Sequence, residues 1–167
     1  MRQACDLLRE MEHSGVFPGV RAYSAAIAAC KPSGDWRVAK MLLEELNFKR
    51  SNSSQISQRQ GPTVLTYTSA ISTCIKYAEF EWASQLMNEM RSRDLAPNRY
   101  TYNVMLRVCA EDAKRRGDLH VVLEVFHDMT VVRGVKPDSY TFGALLTACK
   151  RAGNGTQALL FVEQRRS

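Results

Sequence analysis

Four times in 167 residues the chain repeats one pattern: a proline, an aromatic residue five positions on, and a cysteine twelve positions on. The prolines are Pro18, Pro62, Pro97 and Pro137; the aromatics are Tyr23, Tyr67, Tyr102 and Phe142; the cysteines are Cys30, Cys74, Cys109 and Cys149. The four stretches read FPGVRAYSAAIAAC, GPTVLTYTSAISTC, APNRYTYNVMLRVC and KPDSYTFGALLTAC. A recurrence on this scale restricts the fold to an array, in which each copy is one small unit that neighbouring copies complete.

Inside each copy the apolar positions fall at i, i+3, i+4 and i+7, one face of an α-helix. They are Tyr23, Ala26, Ile27 and Cys30; Tyr67, Ala70, Ile71 and Cys74; Tyr102, Met105, Leu106 and Cys109; Phe142, Leu145, Leu146 and Cys149. A second stripe of the same spacing follows: Ala39, Leu42, Leu43 and Leu46; Ala83, Leu86, Met87 and Met90; Val122, Val125, Phe126 and Met129; and a weaker Ala158, Phe161 and Val162. Another such stripe opens the chain at Ala4, Leu7, Leu8 and Met11. Turn signals SGD, RGD and AGNG separate the stripes, and after a second stripe the chain reaches Gly15 or Gly134 and then a proline.

The unit is therefore helix, tight turn, helix, turn. Residues 1–19 hold a lone second helix, followed by repeats at 20–63, 64–98 and 99–138 and an incomplete one at 139–167. Stacked pairs of this kind predict an all-α fold, a right-handed α-solenoid with a concave face. Residues 47–61, rich in serine and glutamine, are expected to form a flexible surface loop. Segment 99–138 carries about four extra residues around EDAKRR and one more near Val131, and the basic run Lys114, Arg115 and Arg116 is expected in a solubilising loop. The chain opens in a second helix and ends short of a full stripe, which predicts a piece of a longer array, a divergent short member, or an array completed by a partner.

At 45% hydrophobic residues the chain has enough apolar surface for a core. Its longest apolar run is AAIAAC, far short of a membrane span. The net charge of +6 and a pI near 9.2 point to an anionic partner, nucleic acid first among them. No C-x-x-C occurs, and four of the five cysteines hold equivalent repeat positions, so they are expected as buried fillers of a reduced, intracellular protein. MRQACDLLREME contains acidic residues and is assigned to a helix; no targeting peptide is visible.

A period near 35 residues, with TYT or TYN opening the first helix, A-x-x-L-x-x-x-M in the second and PN or PD at the close, resembles the pentatricopeptide repeat family. The tetratricopeptide alternative places Trp and Leu-Gly in the first helix, whereas Trp36 and Trp82 stand in second helices here. The resemblance implies single-stranded RNA binding in a mitochondrion or chloroplast, supporting RNA processing, stability or translation, with one nucleotide per repeat. It implies base reading by the residue after the aromatic together with the last residue of the same repeat. Those pairs are Ser24 with Thr63, Thr68 with Asn98, and Asn103 with Asp138; Gly143 has no side chain. By the resemblance Thr68 with Asn98 favours adenine and Asn103 with Asp138 favours uracil, a 5′-AU-3′ core. It also places Arg21, Leu65, Tyr100 and Tyr140 beside the bases, and Lys76 and Arg151 near phosphates.

Simpler readings stand beside these. Asn and Asp before a helix commonly cap it, and exposed lysine or arginine is commonly just solvated. Glu124 and His127 form a single E-x-x-H with His120 nearby, all facing away from the apolar stripe, so no metal site is expected. No phosphate-loop, zinc-protease or nucleophile-elbow motif occurs, and no catalytic residue or cofactor is expected. The rival reading is a protein-interaction scaffold of the same fold, which a continuous apolar groove would support.

Overall fold

A computed structural model describes residues 2–52 and 61–166, and among these every regular element is helical. The chain forms two compact units, 1–73 and 74–167, which divide inside segment 64–98.

The first unit contains α1 (Arg2–His13), α2 (Val20–Ala29), α3 (Trp36–Asn52) and α4 (Val64–Thr73). Its centre is α2, which packs on the other three. The stripe explains this: Tyr23, Ala26, Ile27 and Cys30 are buried, and so are the α3 residues Ala39, Leu42, Leu43 and Leu46 facing them. Each large apolar side chain so removed from water contributes about 1.5–3 kcal/mol. Tyr23 brings a hydroxyl into this core, and the hydroxyl is satisfied: it donates to Glu45 Oε1 at 2.8 Å and accepts from Lys49 Nζ at 2.6 Å. Burial pushes its pKa up to about 12.

Two expectations change in this unit. Leu7, assigned to the opening stripe, is 59% exposed; Leu8 alone of that stripe is buried. The insertion expected as a loop from residue 47 begins as helix, because α3 continues to Asn52; residues 53–60 lie outside the described residues. Lys49, inside that stretch, pairs with Glu45 one turn back and with Glu12 of α1, contacts that a helical course supplies. Val162, placed in the weaker last stripe, is a residue whose side chain is likewise outside the description.

The second unit contains α5 (Phe80–Ser92), α6 (Arg99–Arg116), α7 (His120–His127), α8 (Ser139–Ala152) and α9 (Gly155–Arg166), with a 3₁₀ turn at Ile75–Tyr77 and a π turn at Asp128–Val132. Here α6 is central, packing on α5, α7 and α8, while α9 closes over α8. Phe126 meets Phe142 and Phe161 edge-on, with centroids 6.3 and 5.7 Å apart. The insertions are absorbed as helix. Four residues are about one α-helical turn, and α6 is lengthened to Arg116 rather than interrupted by a loop. Arg116 binds Asp112 at 2.6 Å and Glu81 at 2.9 Å, and Arg115 reaches the Tyr77 carbonyl, so the basic run ends a helix whose C-terminal dipole favours cations. The further residue near Val131 coincides with the π turn, the usual way a helix takes in a single insertion.

Cys30, Cys74, Cys109 and Cys149 are buried, and burial raises the Cys30 thiol to about 11. Left-handed turn positions are held by Gly15, Gly34, Gly117, Gly134 and Gly153, but segment 64–98 uses Ala78 and Asp94 there, at φ 54° and 57°. A side chain at such φ costs about 1–2 kcal/mol, part of which glycine's extra chain entropy offsets. Asp94 is exposed and has little packing to lose. Asp94→Gly is therefore expected to stabilise the chain by about 0.5–1 kcal/mol, read as a thermal midpoint raised by about 2–4 °C. A midpoint that falls would show that the aspartate side chain contributes more than its backbone strain removes.

Candidate nucleic-acid interface

One face of α6 and one of α8, with the cap residues that precede them, line an open groove of about 1120 Å³ in the second unit. Its chemistry follows from helix register. The fifth residue of α6 is Asn103, 8% exposed, whose Nδ2 donates to Asp138 Oδ1 at 3.0 Å. The second residues of α6 and α8 are Tyr100 and Tyr140, 56% and 79% exposed at the groove edge.

Asp138 also caps α8. It accepts the Thr141 backbone N–H at 2.9 Å, and the Thr141 hydroxyl accepts the Asp138 N–H at 3.0 Å, a complete capping box. The capping reading and the groove placement therefore hold together, because a carboxylate has lone pairs for several donors. The Thr141 N–H, then Asn103 and the more distant Arg99, hold the Asp138 carboxyl below its usual range. Its stabilising contribution is complete above pH 3.8, the ordinary value, and is lost as pH falls through the lower folded-state pKa. Asn98 caps α6 in the same way, accepting the Thr101 N–H at 2.9 Å, and lines the groove as well.

Arg151 lies in the groove, but Glu111 on α6 holds its guanidinium at 2.5 Å. Arg107 was missed in the sequence. It is exposed in the same groove and makes no hydrogen bond or ion pair among the described residues. The signal was available: residues 103, 107 and 111 are spaced i, i+4, i+8 and share one helical face. Lys76 is outside this groove lining; it is exposed on the 3₁₀ turn, 5.5 Å from the Tyr77 ring.

The remaining base-side candidates belong to the first unit. Leu65 is 64% exposed and Arg21 is exposed. Ser24 lies 2.7 Å from the Thr66 hydroxyl, which is also 3.1 Å from the Thr63 hydroxyl. Thr68 is 1% exposed and donates its hydroxyl to the Val64 carbonyl at 2.7 Å. Thr68 and Asn98, paired by the repeat pattern, fall in different units. His120 and Glu124 are exposed, 3.6 Å apart.

Comparison with known proteins decides the family. A model described as the PPR repeat family matches residues 62–111, and one described as a pentatricopeptide repeat domain matches residues 124–165. The chain belongs to the pentatricopeptide repeat family. Among curated pentatricopeptide repeat proteins, a chloroplastic one of Arabidopsis thaliana is 29% identical over 136 residues, 81% of this chain and 26% of the relative. The mitochondrial 15S rRNA processing factor CCM1 of Yarrowia lipolytica is 27% identical over 149 residues, 86% of this chain and 17% of that protein. The chain thus spans about a quarter or less of the length of these relatives.

Solved pentatricopeptide repeat structures agree on the fold. PPR10 in complex with an 18-nt psaJ RNA element superposes with a TM-score of 0.75 at 26% identity, over 98% of this chain and 22% of that one. The PPR domain of the Arabidopsis thaliana protein-only RNase P 1, in complex with tRNA, gives 0.72 at 18% identity, over 98% of this chain and 79% of that one. The α-solenoid class expected from the period is the class observed.

Proposed function

We propose that this chain binds single-stranded RNA without catalysing a reaction on it, in a mitochondrion or chloroplast, as part of transcript processing, stability or translation. The observation that carries the reading is the Asn103–Asp138 pair, held at 3.0 Å in an open groove edged by Tyr100 and Tyr140. An amide presents both a donor and an acceptor to an unstacked base, and tyrosine rings offer faces on which bases stack. Family membership, relatives named as chloroplastic and mitochondrial, a relative named as an rRNA processing factor and a neighbour solved with RNA all support it. The positive balance of +6 suits a polyanion, with the exposed Arg99 and Arg107 as groove cations.

The groove lining sets the Asn103 amide, the Asp138 carboxylate and the Arg99, Arg107 and Arg151 guanidinium groups among the apolar Val104, Ala110 and Ala144, and it is those polar groups that favour a nucleotide over the apolar face of a partner helix. Of the proposed readers, Asn103 with Asp138 is the better placed; Thr68 offers only a buried hydroxyl already committed to Val64. Asn103→Thr is expected to move the preference at one base from uracil toward guanine, measured by filter binding to short strands that differ at that base. An unchanged preference would remove the base-reading assignment.

A further inference from the structure

Asn103 has a second partner. The Thr141 hydroxyl lies 2.6 Å from Asn103 Oδ1, nearer than its 3.0 Å to Asp138 Oδ1. Because that oxygen already accepts the Asp138 N–H, its one proton is available to donate, and the short contact directs it to Asn103. The amide is thus bound at both ends, its NH₂ on a carboxylate that only accepts and its carbonyl on a hydroxyl that donates. Rotating it by half a turn would set carbonyl against carboxylate, lose the bond to Asp138 and force the Thr141 hydroxyl from donor to acceptor.

The device recurs in the first unit. Thr66 holds the Ser24 hydroxyl at 2.7 Å as Thr141 holds Asn103, and it contacts Thr63 as Thr141 contacts Asp138. Thr66 and Thr141 are each the third residue of their helices and each fully buried. In both cases a threonine on one first helix orients the fifth residue of the first helix before it.

The orientation matters for one choice in particular. Uracil shows an acceptor at O4 beside a donor at N3, and cytosine shows the reverse, a donor at N4 beside an acceptor at N3. An amide free to turn over could pair with either; an amide locked one way matches one and opposes the other. Resting on the RNA-reading proposal above, we infer that Thr141 is a positioning residue that sets uracil over cytosine by locking the Asn103 amide.

The test compares Thr141→Val, which keeps the shape and removes the hydroxyl, with Thr141→Ser, which keeps the hydroxyl. The probes are oligoadenylate strands carrying one central uracil or cytosine, read by fluorescence anisotropy on the whole chain. Losing one hydrogen bond should lower the uracil-over-cytosine affinity ratio by about three- to tenfold in the valine variant, while serine keeps it within about twofold. Thr141→Ala replaces valine in the comparison should the valine variant not fold. A structural role alone, loss of the α8 capping box, would weaken both strands equally and leave the ratio intact, which would overturn the inference. Serine losing as much as valine would also overturn it. If the unsubstituted chain binds both strands without preference, base reading falls along with this inference; if it binds neither, the RNA proposal itself falls.

Discussion

Replacing Tyr100 and Tyr140 together by alanine is expected to weaken binding of a short single-stranded RNA by about a hundredfold, at about 1–3 kcal/mol for each lost stacking contact. Both rings stand more than half exposed, so they contribute little to the core and their removal should leave the melting curve nearly unchanged. That separation makes the result informative. Phenylalanine at both positions keeps the ring faces and should keep most of the affinity, whereas alanine should not. Titration of the double variant against the same fluorescent strand at constant salt measures this, since phosphate contacts change steeply with ionic strength. A loss smaller than about threefold would show that the tyrosines are not the stacking surface.

Leu106→Ala is expected to destabilise the second unit by about 3–4 kcal/mol, the sum of lost transfer free energy and an unfilled cavity. Leu106 is fully buried on α6, the helix against which α5, α7 and α8 pack. Domains have only about 5–15 kcal/mol in hand, so the shift is large; urea denaturation should show a lower midpoint and heating a fall of about 10 °C. Binding should suffer indirectly, since Asn103 and Arg107 are carried on the same helix. A destabilisation below about 1 kcal/mol would mean that the α6 stripe is not the core.

These two outcomes separate what is written locally in the chain from what is not. The apolar stripes are local: a residue's burial follows from its place in a period of 3.6, and Tyr23, Tyr67, Tyr102, Ile27, Ile71 and Leu106 are buried as that period requires. Composition misled where it stood in for periodicity. Serine, asparagine and basic residues at 47–52 and 114–116 read as loop, yet both stretches are helical: α3 runs on into the first, and the four extra residues of the second segment add one turn to α6. Leu7 fitted the stripe of α1 but stays exposed.

The site was legible as a set of positions and not as a set of contacts. Asn103, Asp138, Tyr100 and Tyr140 could be picked out by their places in the repeat, and capping by Asp138 could be offered only as a rival to its presence in the groove; in the fold one carboxylate does both. Whether Arg151 is free could not be read from its neighbours in the chain, since its partner Glu111 lies on another helix.

The sequence by itself determined the helical pairs, their repetition and the residues that face the core, because helix periodicity and the water-avoidance of apolar side chains act over a few residues. Only the tertiary structure decided that Thr141 holds the Asn103 amide, that Glu111 occupies Arg151 and that Arg107 is left available in the groove. Those outcomes turn on distances of about 3 Å between side chains of different helices, which packing sets and no local pattern encodes.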